Sequence, residues 1–119
     1  MEKRENIVQA KSYSFALRII KLHEFMQNGA TSKVLSSQIL RSGTAIGALV
    51  AESVNAQSKA DFVNKMNIAL KEANETDYWL SLLKDSQIIT HQQYESIHAD
   101  CSELVALLVT IVKTSKSSI

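Results

Sequence analysis

The sequence predicts an all-α fold, an antiparallel up-down-up-down four-helix bundle, and three observations carry that prediction. The 119 residues include no proline and only three glycines, and proline is the residue that stops a helix from inside. Four long segments repeat their apolar side chains at three- and four-residue spacing, which gathers them on one helix face. The links between those segments are about two to five residues long, short enough to set neighbouring helices antiparallel. No segment alternates apolar and polar residues as a half-buried strand would. One domain spans residues 1–119, long enough to bury a proper core, with frayed ends expected at about 1–5 and 115–119.

The first helix is expected from about Glu5 to Gln27, where Val8, Phe15, Ile19, Leu22 and Met26 share a face. Asn28-Gly29 ends it, with glycine just past the last turn. The second runs from about Lys33 to Asn55, capped by Thr31 or Ser32. Its middle, RSGTAIGALVA, is apolar or small nearly all round, the mark of a helix contacted on several sides. The third starts at Ser58, with Asp61 three residues on as a variant capping box, and ends near Ser86. Its seam is Phe62, Met66, Ala69, Ala73, Thr76, Leu80 and Leu83. The fourth follows Thr90, with Gln93 completing a second capping box, and buries Ile97, Cys101, Leu104, Leu108 and Ile111.

Thirteen basic and twelve acidic residues leave a formal charge of +1, too even for a dedicated high-charge nucleic-acid binder. The distribution is less even. Residues 1–71 hold ten basic and five acidic side chains, and residues 72–119 hold three and seven. That asymmetry can create one basic face. Arg4, Lys11, Arg18 and Lys21 fall on one stripe of the first helix, about 25 Å long at 1.5 Å per residue. A solvated face and a phosphate-tracking surface for RNA or DNA both fit that pattern, the solvated face better. A single cysteine, Cys101, makes no internal disulfide and suits a reducing compartment. The start, MEKRENIVQA, lacks the apolar core of a signal peptide, and the longest uncharged run, Ser42–Ala51, is too short to cross a bilayer. A cytoplasmic location without a membrane partner is expected.

Gly43 and Gly47 sit four apart among small residues, so close helix packing is their expected role. They lie inside a helix, which excludes the loop logic of a phosphate cradle. A hairpin turning near residues 56–57 places Arg41 level with Glu72 and within reach of Glu75. Charges set against apolar neighbours need partners, so these three are expected to form a structural polar clamp. Removing Arg41 should then strand a buried carboxylate at a cost of about 3–5 kcal/mol. No nucleophile or histidine stands beside the two acids, so acid–base catalysis is disfavoured. Glu95 and His98 form one Glu-x-x-His step, but a di-iron bundle needs two such steps and two further glutamates. Arg18 and His23 reproduce a spacing of some helical RNases, yet five helical steps point them well apart. No cofactor, metal, small-molecule substrate or enzymatic activity is expected.

Four blocks carry a family resemblance. They are AKSYSFALRIIKLHEF, SSQILRSGTAIGALVAES, QSKADFVNKMNIALKEANETDYWLSLL and ELVALLVTIVKTSK. Together they resemble the 23S rRNA intervening-sequence protein family, the four helix bundle proteins, over nearly the whole chain. Where the family's second block commonly continues alanine-asparagine, this chain has Leu49-Val50. The resemblance implies an antiparallel bundle, often a homopentamer, encoded within insertions in bacterial 23S rRNA genes or elsewhere in genomes. It also implies kinship with the accessory protein of diversity-generating retroelements, a basic pentameric barrel that engages a reverse transcriptase and nucleic acid. The family's molecular function is not established, and no catalytic residue carries over. The expected role is a non-enzymatic homo-oligomeric bundle accessory to nucleic acid or a ribonucleoprotein. The alternative is a protein–protein interaction or antitoxin-like module that binds no nucleic acid.

Overall fold

The computed structural model describes residues 3–29 and 32–117. They form four helices, α1 (Lys3–Gln27), α2 (Lys33–Ser53), α3 (Lys59–Asp85) and α4 (His91–Ser117). The helices stand at the corners of a square and each touches only its two neighbours. The particle is elongated, 47 × 22 × 19 Å. Side-chain pairings fix the directions, because residue numbers rise on one helix as they fall on its neighbour. Along α1 and α4 the partners are Arg4 with Thr114, Lys11 with Glu103 and Arg18 with Asp100. Along α3 and α4 they are Ala73 with Cys101, Asp77 with His98 and Ser81 with Tyr94. Arg41 with Glu72 and Glu52 with Lys65 do the same for α2 and α3. Ile19 under Gly43 and Ser12 under Gly47 do it for α1 and α2. Every neighbouring pair is therefore antiparallel.

The core follows the predicted stripes. Val8, Phe15, Ile19 and Met26 of α1 meet Ile39, Ile46 and Val50 of α2. On α3 the seam from Met66 to Leu83 is buried, with Val63 inside where Phe62 was expected and Phe62 only partly covered. On α4 Tyr94 and Val112 extend the predicted stripe at both ends. The hydroxyls of Ser42 and Thr76 meet at 2.9 Å in the buried α2–α3 seam, and Thr76 also reaches the Glu72 carbonyl at 2.8 Å. That pairing removes the cost of two buried hydroxyls.

The helix ends show where local chemistry acts. Ser58 caps α3 by accepting the Asp61 N–H at 3.0 Å, and Asp61 reaches back to the Gln57 N–H at 3.2 Å. Ser58 is thus the cap and Lys59 the first helical residue. Thr90 and Gln93 form the reciprocal capping box, at 3.0 and 2.8 Å. Ser32 stands at the α2 N-cap without a side-chain bond, and Thr31 lies outside the described residues. Helix α2 stops two residues before the expected Asn55, in a turn where the Asn55 and Ala56 N–H groups bond to Glu52 and Ser53. Helix α1 starts two residues early, at Lys3, and α4 continues to Ser117; the outermost parts of the predicted frayed ends are not described. Gly29 follows α1 without left-handed backbone; the left-handed residue is Gln87, φ 64°, after α3. There the Ile88 N–H bonds to the Leu83 carbonyl at 2.9 Å, the closing bond of a Schellman cap. Among the described residues α2 alone is long and apolar enough to cross a membrane. Within the bundle it packs between α1 and α3 and carries Arg41.

Candidate functional site

Four constellations and one surface could carry function. The α2–α3 clamp has the predicted membership. Arg41 Nη1 donates to Glu72 Oε1 at 3.1 Å and Oε2 at 3.3 Å, and its Nη2 donates to Glu75 Oε2. Trp79 Nε1 donates to the same Glu75 oxygen at 3.3 Å, and Gln38 accepts from Arg41 Nε at 3.2 Å. One expectation needs correction. The Arg41 side chain is 48% exposed and Glu72 19%, so water screens the pair and the cost of breaking it falls well below that for a buried charge.

Gly43 and Gly47 set the α1–α2 approach. A Cβ on Gly43 would lie 2.7 and 2.8 Å from the two γ carbons of Ile19. One on Gly47 would lie 3.2 Å from the Ser12 carbonyl oxygen. Gly43 lets α1 lie against α2 closer than a side chain allows, and Gly47 keeps a tight but less strict approach beside it.

The basic stripe of α1 is placed differently from a free surface. It runs along the α1–α4 seam, the sparsest of the four, and its long side chains bridge the gap. Lys11 Nζ pairs with Glu103 at 3.0 Å. Arg18 Nη1 bonds to Asp100 at 2.8 Å and to the Ser96 carbonyl at 3.1 Å, and Nη2 bonds to the Ser96 hydroxyl. Arg4 donates to Thr114 Oγ1 at 3.4 Å, and Lys21 lies 3.8 Å from Glu24. Acids of the negative half of the chain thus offset the stripe's charge at its centre. His23 does not join Arg18; its Nδ1 lies 3.2 Å from the Ser36 carbonyl on α2.

A polar cluster between α3 and α4 was not anticipated. Asp77 Oδ1 lies 2.6 Å from His98 Nδ1, and His98 Nε2 lies 3.3 Å from Ser102 Oγ. The Tyr94 ring stacks on His98 with centroids 4.9 Å apart, and Lys84 Nζ sits 4.3 Å over the other ring, that of Tyr94. The order carboxylate–imidazole–hydroxyl is that of an activated nucleophile. Yet Ser102 lies within α4, where backbone N–H groups are spent on helix bonds and leave no oxyanion donors. Four surface cavities of about 240 to 580 Å³ among the described residues are lined by other side chains. The antiparallel register of α3 against α4 across their short turn is the sequence signal for Asp77–His98. Glu95 of the Glu-x-x-His step turns instead to His91 at 3.5 Å. Among the described residues no three or more His, Cys, Asp or Glu side chains gather to hold a metal ion. Cys101 is buried with its Sγ 3.4 Å from the Ala73 carbonyl. Burial pushes its thiol up to about 12, with Asp77 and Asp100 adding to the shift.

The surface feature is apolar. Tyr13, Leu17, Ile20 and Phe25 of α1 are exposed, as are Val34 and Val54 at the ends of α2. On α3 the exposed set is Ile68, Tyr78 and Leu82, and on α4 it is Val109. Tyr13 is 67% open and Val34 72%.

The model of the 23S rRNA-intervening sequence protein family matches residues 4–110. A crystal structure of a protein with unknown function from the S23 ribosomal protein family, from Bacteroides thetaiotaomicron, is 55% identical. The match covers 92% of this chain and 98% of that one, with a TM-score of 0.89. None of the curated proteins matches.

Proposed function

The chain belongs to the 23S rRNA-intervening sequence protein family, and from that premise we propose a non-enzymatic, self-associating four-helix bundle that serves as a cytoplasmic accessory to nucleic acid or a ribonucleoprotein. The observation that supports self-association is the set of large apolar side chains left exposed on α1, α2 and α3. A bundle that works as a monomer gains nothing from Tyr13, Leu17 and Ile20 in water, and contiguous exposed apolar surface marks an interaction site. The nucleic-acid part rests on the family and on the cluster of Arg4, Lys113 and Lys116 at one end of the bundle. Arg4 and Thr114 touch, which brings Arg4 near Lys113 and Lys116 at one end of the bundle. Contact there is electrostatic and independent of sequence, since no aromatic side chains interleave these cations to stack bases.

The pairing of Lys11 with Glu103 and of Arg18 with Asp100 favours the second reading, an interaction or antitoxin-like module without nucleic acid. Fluorescence anisotropy with labelled RNA and DNA, titrated in salt, separates the two. The accessory reading predicts binding at low salt that falls steeply as salt rises and weakens on Lys113→Glu with Lys116→Glu. No binding at low salt hands the function to the interaction module.

A further inference from the structure

This inference goes beyond the function proposed above and concerns the end of the bundle opposite Arg4. There the α1–α4 seam, the sparsest of the four, opens between the last turns of α1 and the first turns of α4. The opening is a cavity of about 450 Å³, within the size range of small-ligand sites. Arg18, Lys21, Leu22 and Phe25 line it from α1, at the three- and four-residue steps of one helix face. Ile89 closes it below α4, and Gln92, Gln93, Ser96 and Ile97 line it from α4. Arg18 is level with Ser96, which it bonds. Phe25, seven residues on, therefore lies about 10 Å further along, level with the start of α4.

The floor is apolar, with Ile89 and Ile97 buried and the Phe25 ring half-exposed beside them. The polar lining is mostly donors. Lys21 is an exposed cation. Arg18 spends Nη1 on Asp100 and the Ser96 carbonyl and one Nη2 hydrogen on the Ser96 hydroxyl, which leaves its Nε–H unbonded among the described residues. Ser96 accepts that bond and keeps its own O–H to donate. Gln93 spends its side-chain oxygen on the Thr90 N–H and keeps its amide hydrogens. No acid is among the lining residues. The acids close by on the two helices are already paired: Glu24 with Lys21 at 3.8 Å, Asp100 with Arg18, and Glu95 with His91.

We propose that this cavity binds a nucleotide, with the phosphate at Arg18 and Lys21 and the base lying on Phe25 with its edge against the amides of Gln92 and Gln93. A lining with surplus donors calls for an acceptor-rich ligand, and the apolar floor calls for a flat body between its polar ends. A plain aromatic acid carries acceptors at one end only and leaves the two glutamines to water. A nucleotide carries them at both. Phosphate on the two cations makes charge-assisted hydrogen bonds, and the base stacks on an aromatic ring. Lys21 gives up only a long, exposed contact with Glu24 in turning to the phosphate, a small loss. The same chemistry comes from a free nucleotide or from the phosphorylated end of a single strand.

Titration calorimetry at low salt with AMP, adenosine, inorganic phosphate and phenylacetate tests it. AMP should bind about tenfold more tightly than any of the other three. Lys21→Glu should weaken AMP by about tenfold and leave adenosine nearly unchanged, whereas Phe25→Ser should weaken both. Both positions are exposed, and circular dichroism checks the fold. Should either variant lose helicity, Gln92→Ala takes its place and should weaken AMP but not phosphate. Labelled oligoadenylate with and without a terminal phosphate identifies the source: preference for the phosphorylated strand, with AMP competing, assigns the site to a strand end, and AMP binding without that preference assigns it to the free nucleotide. AMP that fails to bind, binds no better than phenylacetate, or binds the wild type and both variants equally overturns this inference. A strand that then still binds through Lys113 and Lys116 leaves the function proposed above standing. AMP that binds where no strand does removes that function and keeps this site.

Discussion

Gly43 shows how one missing side chain sets a helix–helix distance. A methyl added there meets the branched, buried Ile19 at under 3 Å, and a β-branched neighbour has few rotamers to retreat to. Overpacking of this kind costs about 1–3 kcal/mol, offset by about 1 kcal/mol of helix propensity that alanine gains over glycine. Gly43→Ala should therefore lower the melting temperature, while Gly47→Ala, with a looser contact to Ser12, should leave it nearly unchanged. Thermal melts of the two variants check this. Cys101 makes a second residue-scale prediction. Its thiol is raised from 9.0 to about 12 by burial, so the folded state holds the proton more tightly than the unfolded one. The stability from that site is complete below pH 9 and is lost as pH rises towards 12. Cys101→Ala should flatten that part of the pH–stability curve, and a thiol reagent at pH 8 should label the wild-type protein only after denaturant is added.

At the scale of the helices, the α2–α3 and α1–α4 seams are held by different means. Arg41 fastens α2 to α3 in the open, so Arg41→Met should cost about 1 kcal/mol, the range of a well-formed exposed pair. Denaturant titration measures it. The α1–α4 seam depends on long side chains across a wider gap, and Lys11→Glu with Arg18→Glu would set acids against Glu103 and Asp100. That double reversal should lower the melting temperature, and added salt should restore part of the loss by screening. The clamp was legible in the sequence because a short turn near residues 56–57 fixes the register of α2 on α3. The same register across the α3–α4 turn sets Asp77 level with His98. The stripe on α1 was legible as a row of cations, but its direction was not. Whether a helix flank faces water or a neighbour depends on which side α4 takes, and periodicity alone does not say. Gly29 misled for a related reason: glycine is permitted left-handed backbone, whereas at Gln87 the Schellman bonds impose it.

For the whole molecule, the four helices, with side-chain N-caps on α3 and α4, and their antiparallel order follow from the chain's own patterning. The apolar stripes on α1 and α3 exceed what one bundle can bury. The excess lies outside, with Tyr13, Leu17 and Ile20 on α1 and Ile68, Tyr78 and Leu82 on α3. An account in which assembly is the working state of this protein stands or falls on the size of the unmodified chain in solution. Multi-angle light scattering at micromolar concentration reads it directly. The account predicts one sharp species at a whole-number multiple, above one, of 13.2 kDa. A species at 13.2 kDa that persists as concentration rises would contradict it.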